Sequence, residues 1–598
     1  MYSHEVKIIP QKNQTIYYTS EGFASSKTLN KLNDSIVLSK TTTLLLRIKD
    51  SKIDTIIHRT YHFDYQSKLA ILSISIDPED FWNDSTGIYV KGKNAYWNDS
   101  IGHWVNCNYQ KNWEKPMFIT FIDTNNKVGF SQQAGIKIFG ESTRRQPDKS
   151  MKIIARKKYG KKRFKYRLFP DKDIKKFKQL VIRASGNDYA KTRFKDAMSA
   201  YLVRNLDIEY MAWRPIKLYI NGEYWGVYNL REKINDNYIG SNRNVDKDSV
   251  NITMGRWITQ EGSGKDFKKM YYWFAELDTM DDKAYNKAKQ FLNIRNYINY
   301  RVFQIYINNK DSRGNIRYYN VKGEADKRFR MILYDTDLGY GKYSMNYLEK
   351  CVSPTPTDWY NPTWSTMYLN KLIQHPEFQN EFVTQFAHLM NTSLHKDTML
   401  AAVDYFEEIY KDELPRSSSG RPAHLKKTYF SMNTWMEEVN SLRSYAKLRP
   451  KAMWQHLNTT FNLKGTFLLK IKGDSGMVSV NDNYPIPLPY EGLYFKDIPL
   501  TIKIIPDSNI LFSKWMDKDS INPRVVICDG DSLTIEPTFK VKPTVPDSTS
   551  QTTVDLTQDS ISSSHQGSQD WLYYLAYTLL GLGCLLLVLY FTWTKEVF

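Results

Sequence analysis

From Trp571 to Thr594 the chain carries no charged residue: WLYYLAYTLLGLGCLLLVLYFTWT. As a helix rising about 1.5 Å per residue, such a run is long enough to cross the roughly 30 Å hydrocarbon core of a bilayer. Trp571 and Trp593 stand near its two ends, where interfacial aromatics belong. The expectation is therefore a transmembrane helix over 571–594. The preceding residues 541–570, VKPTVPDSTSQTTVDLTQDSISSSHQGSQD, have no core-forming pattern and predict a disordered stalk. The chain then reads as a single-pass membrane protein. MYSHEVKIIPQKNQ holds no apolar h-region, so no signal peptide is visible at residue 1. The stalk and the β-rich modules nevertheless favour an extracytoplasmic globular part.

A length of 598 residues with 41% hydrophobic content supports several cores rather than one. Residues 1–68 read as a small β module, 69–460 as the main body and 466–540 as a second small β module. Within the main body a helix is expected over 190–206. IKLYINGEYWGVYNLREK predicts a hairpin around Asn221-Gly222, a pair favoured in type I′ turns. Residues 291–308 place Ile294, Ile298, Val302 and Ile305 on one helical stripe. Two short strands, 316–321 and 328–334, follow. Residues 364–460 read as mainly helical, with Pro376 opening a helix that aligns Phe378, Phe382 and Phe386.

The net charge of +19 is concentrated between Lys137 and Lys178, where KSMKIIARKKYGKKRFKYRLFP is the densest run, expected as a hairpin over 148–170. It reads either as a solvated face or as a surface for an acidic or phosphate-rich ligand. Nucleic acid is disfavoured, because no recognised binding motif accompanies the charge. Cys107, Cys351, Cys528 and Cys584 form no CxxC pair and no metal-ligand cluster.

The candidate chemistry lies between residues 308 and 341. NNKDSRGN places Asp311 and Asn315 in a polar loop after the striped helix, and MILYDTDLGYG ends the second short strand in Asp335 and Asp337. On an extended chain, residues i and i+2 point the same way, so both carboxylates would face one ion. Mg²⁺ takes one or two carboxylates and leaves its other positions to water and phosphate. Gly339 and Gly341 would let the backbone approach a phosphate. The competing reading is an Asx-rich loop capping a hairpin. A Ca²⁺ site is weaker, because calcium loops supply more oxygens, and no carboxylate pair marks a glycosidase. The order catalytic Asp, Asn, two strands, metal-binding Asp is that of eukaryotic-type kinases, although the Asp-to-Asn spacing is one shorter and HRD and DFG are absent.

Several segments, in order, resemble the CotH kinase family. They are AGIKIFGESTRRQPDKSMKIIARKKYG (134–160), RLFPD (167–171), LVIRASGNDYAKTRFKDAM (180–198), YINGEYWGVYNLREKI (219–234), INNKDSRGN (307–315), ILYDTDLGYG (332–341) and LIQHPEFQNEFVTQFAHLM (372–390). The first β module is similar to the C-terminal piece of chitobiase-type enzymes, and 466–540 to a bacterial surface repeat. The resemblance implies a multidomain protein: an α+β atypical protein-kinase-like core flanked by small all-β modules, with one C-terminal transmembrane helix. It implies transfer of the γ-phosphoryl of ATP, with Mg²⁺ or Mn²⁺, to Ser or Thr of a protein, acidic or of a surface coat. Asp311 would orient the acceptor hydroxyl, Asn315 would help hold the metal, and Asp335, alone or with Asp337, would bind it. Lys310 stands where many relatives carry Trp.

Phosphoryl transfer also needs positive charge on the transferring oxygens. Lys149 and Lys152 face opposite sides of one strand, so only one reaches the nucleotide, with Arg144 as a further phosphate contact and Glu232 as a partner for the buried lysine. The alternative is a catalytically silent kinase-like surface protein whose β modules bind glycan or a protein partner.

Overall fold

The alternation of apolar and polar residues between positions 70 and 232 closes a sheet on itself. A computed structural model describes residues 5–542 except 12, 21–28, 52–53, 64–67, 312, 356–361 and 420–430. Its central elements begin with β1 (Ala70–Ile76), β2 (Lys115–Ile122), β3 (Val128–Phe139), β4 (Ser150–Ile154) and β5 (Gln179–Arg183). Helix α1 (Lys195–Leu202), β6 (Glu209–Tyr210), β7 (Trp213–Ile220) and β8 (Glu223–Glu232) follow. Then come β9 (Val250–Met254), β10 (Ile258–Glu261), α2 (Ile294–Tyr306), β11 (Arg317–Val321) and β12 (Arg330–Leu333). Helices α3 (Pro376–Asn391) and α4 (Met432–Phe461) complete the set.

Strands β2-β3-β4-β5-β8-β7-β1 form a closed barrel. Ile74, Met117, Ile136, Ile153, Leu180 and Leu218 point into it and share one buried cluster. The period of two therefore turns Lys137, Lys152, Val181, Arg183 and Arg231 to the outside. Lys137 stands opposite Lys152, Lys152 opposite Val181, and Val181 opposite Arg231, one row across four strands. The β7–β8 turn has Asn221 at φ 52° and Gly222 at φ 83°, the positive pair that a type I′ turn requires. The basic run does not form the expected hairpin over 148–170. Only Ser150–Ile154 is a barrel strand, and Phe164–Lys165 pairs instead with Lys176–Phe177 in a separate two-stranded ribbon. Met151 and Ile153 supply the inward period that fits the barrel, and the lysines after them do not.

A second sheet, β6-β12-β11-β9-β10, packs Tyr318, Met331 and Leu333 against the helical core, and Tyr319 and Ile332 into a smaller cluster on its other face. Helix α2 begins where the Asn293 side chain accepts from the Asn296 backbone N–H. It is buried nearly all round, so its polar residues need partners. Asn296 donates to the Asp207 carbonyl at 2.8 Å, and Arg301 Nε donates to the Tyr297 hydroxyl at 3.0 Å. Pro376 opens α3, and Phe378, Phe382 and Phe386 are buried along it.

Residues 1–63 contribute a four-stranded antiparallel sheet (Asn30–Lys31, Thr15–Thr19, Thr42–Lys49, Asp54–Tyr61). The strands after residue 465 put Phe467, Leu469 and Tyr494 into the same buried cluster as α2 and α3. His388 Nδ1 and the Tyr494 hydroxyl hydrogen-bond there at 3.1 Å. Burial pushes the His388 imidazole down to about 3. An unfolded imidazole titrates near 6.5. Below about pH 6.5 the unfolded chain thus takes a proton that the folded chain refuses until about pH 3, and stability falls with pH across that window. Between pH 6.5 and 5 the loss from this group is expected to be about 2 kcal/mol, and His388→Gln is expected to remove it. Urea unfolding at the two pH values measures both.

The architecture is α+β and multidomain, but the expected transmembrane helix is corrected. No helix among the described residues is long and apolar enough to cross a membrane. The longest, α4, carries Glu437, Glu438, Arg443, Lys447, Arg449 and Lys451 along its length, which no bilayer core would accept. Residues 571–594, where the span was expected, and residues 543–570 of the expected stalk lie outside the described residues. The single-pass membrane placement rested on that helix, and no described helix supports it.

Candidate functional site

Strand β12 stops at Leu333, and Asp335 takes a left-handed conformation, φ 57°. The strand is therefore not extended through residue 337, and the period-two argument for a shared direction does not hold. The two carboxylates nevertheless converge, on a residue from the barrel. Arg183 Nη2 donates to Asp337 Oδ2 at 2.8 Å and also to Asp335 Oδ1.

Arg183 ends β5 on the outer face of the barrel and is buried. Its Nε lies 3.7 Å from Asp196 Oδ2, on helix α1. Asp196 also takes the Arg231 guanidinium, and its Oδ1 accepts from Thr336 N at 3.0 Å and Thr336 Oγ1 at 3.1 Å. Burial pushes the Asp196 carboxyl up, but Arg231 and Arg183 outweigh it and hold it well below the usual range. One aspartate thereby fixes Thr336, between the two carboxylates of the loop.

Asp337 rests on the turn after β5. Asn187 donates from its backbone N and from Nδ2, each at 3.1 Å. Gly186 sits at φ 57°, and a Cβ there would lie 2.0 Å from Asp337 Oδ2, so only glycine fits. Burial first, and the Asp335 charge second, push the Asp337 carboxyl well above its ordinary value. Two carboxylates this close, one of them buried, favour any cation that can lie between them.

The second sheet supplies the rest. Asn315 Nδ2 donates to Asp311 Oδ2 at 3.0 Å and to the Asp311 carbonyl at 3.2 Å. Burial and the neighbouring Asp335 charge raise the Asp311 carboxyl, and the Asn315 bond opposes them. Asp311 thus lies within the field of Asp335, and Asn309 Nδ2 reaches the Asp335 carbonyl at 3.3 Å. The loop is held from behind by Arg449 of α4, which donates to the Ile305 and Tyr306 carbonyls, to Asn308 Oδ1 and to the Tyr343 and Met345 carbonyls.

The basic candidates divide. Lys152 faces the same side of the sheet as Arg183. Lys149 points the other way, its Nζ bonded to the Gln146 carbonyl at 2.8 Å and lying 4.4 Å from the Tyr109 ring centre. Arg144 is spent on backbone, donating to the Gly140 carbonyl at 2.6 Å and the Gln110 carbonyl at 2.8 Å. Glu232 pairs with neither Lys149 nor Lys152 but with Lys172, at 2.6 Å, and also accepts from Ala212 N and Asn242. Arg183, Asp196 and Arg231 escaped sequence reasoning, which drew its cations from the lysine-dense stretch. The available signal was LVIRAS, an apolar strand closing on a single arginine just before a helix.

The donors suit a hard divalent cation: carboxylate oxygens from Asp335 and Asp337, with Asp311 and Asn315 beside them. Arg183 meets Asp196, Asp335 and Asp337, Arg231 meets Asp196, and the Asp335 charge also acts on Arg317. Among the described residues no group of three or more His, Cys, Asp or Glu is placed to hold a metal, so any such ion would be completed by phosphate and water. A family model described as CotH kinase protein matches residues 136–453, more than half of the 598-residue chain, from within β3 to within α4. No curated protein matches the chain.

Proposed function

The chain belongs to the CotH kinase protein family, and on that premise we propose that it transfers the γ-phosphoryl of ATP to a protein Ser or Thr hydroxyl with Mg²⁺ or Mn²⁺. One observation carries the reading: Arg183, on the strand before α1, touches Asp196 of that helix and both carboxylates of the Asp335-Thr-Asp337 loop. In protein kinases a lysine on the third strand pairs with an acid on the following helix, above the metal-binding Asp. Arginine in that place keeps its charge when buried and offers a planar fork to phosphate oxygens.

Asp335, the more exposed of the two carboxylates, would hold the metal with Asn315, and Asp337 would steady Asp335 from beneath. The metal, when bound, offsets charge on the phosphate oxygens. Asp311 orients the acceptor hydroxyl and takes its hydrogen. Arg183 and Lys152 offset charge from the barrel side. The exposed lysines between 157 and 176 favour an acceptor with acidic flanks. A second reading, a catalytically silent binding protein, draws on the way Arg183 already satisfies both carboxylates.

Incubation of the protein with radiolabelled ATP and Mg²⁺ or Mn²⁺, with and without a Ser/Thr-rich acceptor, separates the two. Metal-dependent transfer is expected, and Asp311→Ala and Asp335→Ala are each expected to abolish it. Nucleotide binding without transfer would favour the silent reading. Absence of both would sink the proposal.

A further inference from the structure

We propose that Lys137, Lys152 and Lys233 form an anion subsite on the cleft face of the barrel that takes a phosphate chain. The inference rests on reading this cleft as a nucleotide site. Two residues back from Arg183 along β5 stands Val181, but its neighbours in the row that would cover a nucleotide are charged, Lys152 and Lys137 on one side and Arg231 on the other. Lys137 and Lys152 stand directly opposite each other on β3 and β4. Like charges so placed repel, at a cost to the sheet. Lys233 follows β8 by one residue, two beyond Arg231 of the same row, with its Nζ 5.6 Å from the centre of the Phe139 ring.

None of the three makes an ion pair among the described residues. Glu114, the acid nearest Lys137, is taken by Arg156 at 2.9 Å and the Tyr159 hydroxyl at 3.1 Å. Glu261 of β10 is the other carboxylate in their field. Burial pushes the Lys152 amine down to about 8, with Lys137 lowering it further. Burial, then Arg317 and Lys152, push Lys233 down to about 7. Lys137 thus weighs on Lys152, and both weigh on Lys233; a row of amines with too few acids to balance it is relieved by an anion of several charges. A purine pocket would have apolar walls here. The phosphate chain has two chemical sources: ATP bound with its phosphates toward this row, or a separate polyphosphorylated small molecule.

Calorimetric titration of the protein with inorganic tripolyphosphate, in the absence of metal, tests the subsite. Saturable binding is expected, about tenfold weaker in Lys152→Met and in Lys233→Met, recovered in Lys152→Arg, and unchanged in Lys127→Met in the exposed turn before β3. Lys137→Met, on a different strand, repeats the measurement if one variant fails to fold. Equal affinity in wild type and the methionine variants at 137, 152 and 233 would overturn the proposal, as would an equal loss in Lys127→Met. Mutual exclusion of tripolyphosphate and ATP identifies ATP as the source, and simultaneous binding identifies a second ligand. Loss of label transfer with tripolyphosphate binding intact would count against the kinase reading alone.

Discussion

Arg183→Ala is expected to lower phosphoryl transfer by at least about a hundredfold, the range seen when one preorganised charge-stabilising donor is removed. The effect has two parts. The guanidinium that offsets phosphate charge disappears, and Asp335 and Asp337 are left facing each other without the cation that joins them. The second part predicts a signature that simple unfolding would not give. Burial and Asp335 already raise the Asp337 carboxyl, and Arg183 opposes them. Without Arg183 that carboxyl protonates at higher pH, so the acid limb of the rate profile should move upward. Arg183→Lys should recover part of the rate, because an ammonium keeps the charge but cannot serve Asp196, Asp335 and Asp337 together. Rates across pH at saturating ATP measure both effects, and an unshifted acid limb in Arg183→Ala would refute the coupling.

Arg449→Ala is expected to destabilise the protein by about 3–5 kcal/mol, because several neutral acceptors each lose a hydrogen bond from a charged donor worth about 1.5–3 kcal/mol. Arg449 is fully buried. Its guanidinium serves the last carbonyls of α2, which no helical N–H can reach. It also serves Asn308 and the loop after Asp337, through Asn308 Oδ1 at 2.9 Å and the Tyr343 carbonyl at 2.7 Å. With alanine the Ile305 carbonyl would keep the Asn308 N–H and the Tyr306 carbonyl the Tyr445 hydroxyl, but Asn308 Oδ1 and the Tyr343 and Met345 carbonyls would lose their Arg449 donor. The loops bearing Asp311 and Asp337 share this one anchor, so transfer should fall along with stability. Guanidinium unfolding gives the free energy, and a loss below about 1 kcal/mol would contradict the account.

Where signals were local, the sequence was legible. Asn221-Gly222 set a positive-φ turn, and Pro376 opened α3. The stripe of Ile294, Ile298, Val302 and Ile305 became α2, the helix that delivers Asp311. Each depends on residues within one or two turns of one another. The basic stretch misled, because its charge density hid a short barrel strand whose inward residues, Met151 and Ile153, are its only structural signal. Glu232 was expected to partner Lys149 or Lys152, but it pairs with Lys172, sixty residues away along the chain.

By itself the sequence determined the local elements, the Asn221-Gly222 turn, α2 and the start of α3, together with the family resemblance, and it named the carboxylates of the candidate site. Turn chemistry, helical period and the DTDLGYG motif are all written within short windows. The apolar tail set a membrane expectation that no described helix supports. Only the tertiary structure decided which cation meets Asp335 and Asp337. Arg183 lies more than 150 positions before them, and its approach depends on the closure of the barrel and the strand register that turns alternate residues outward. A charge pair across that separation leaves no periodic trace, because its geometry belongs to the packing of two sheets rather than to either segment.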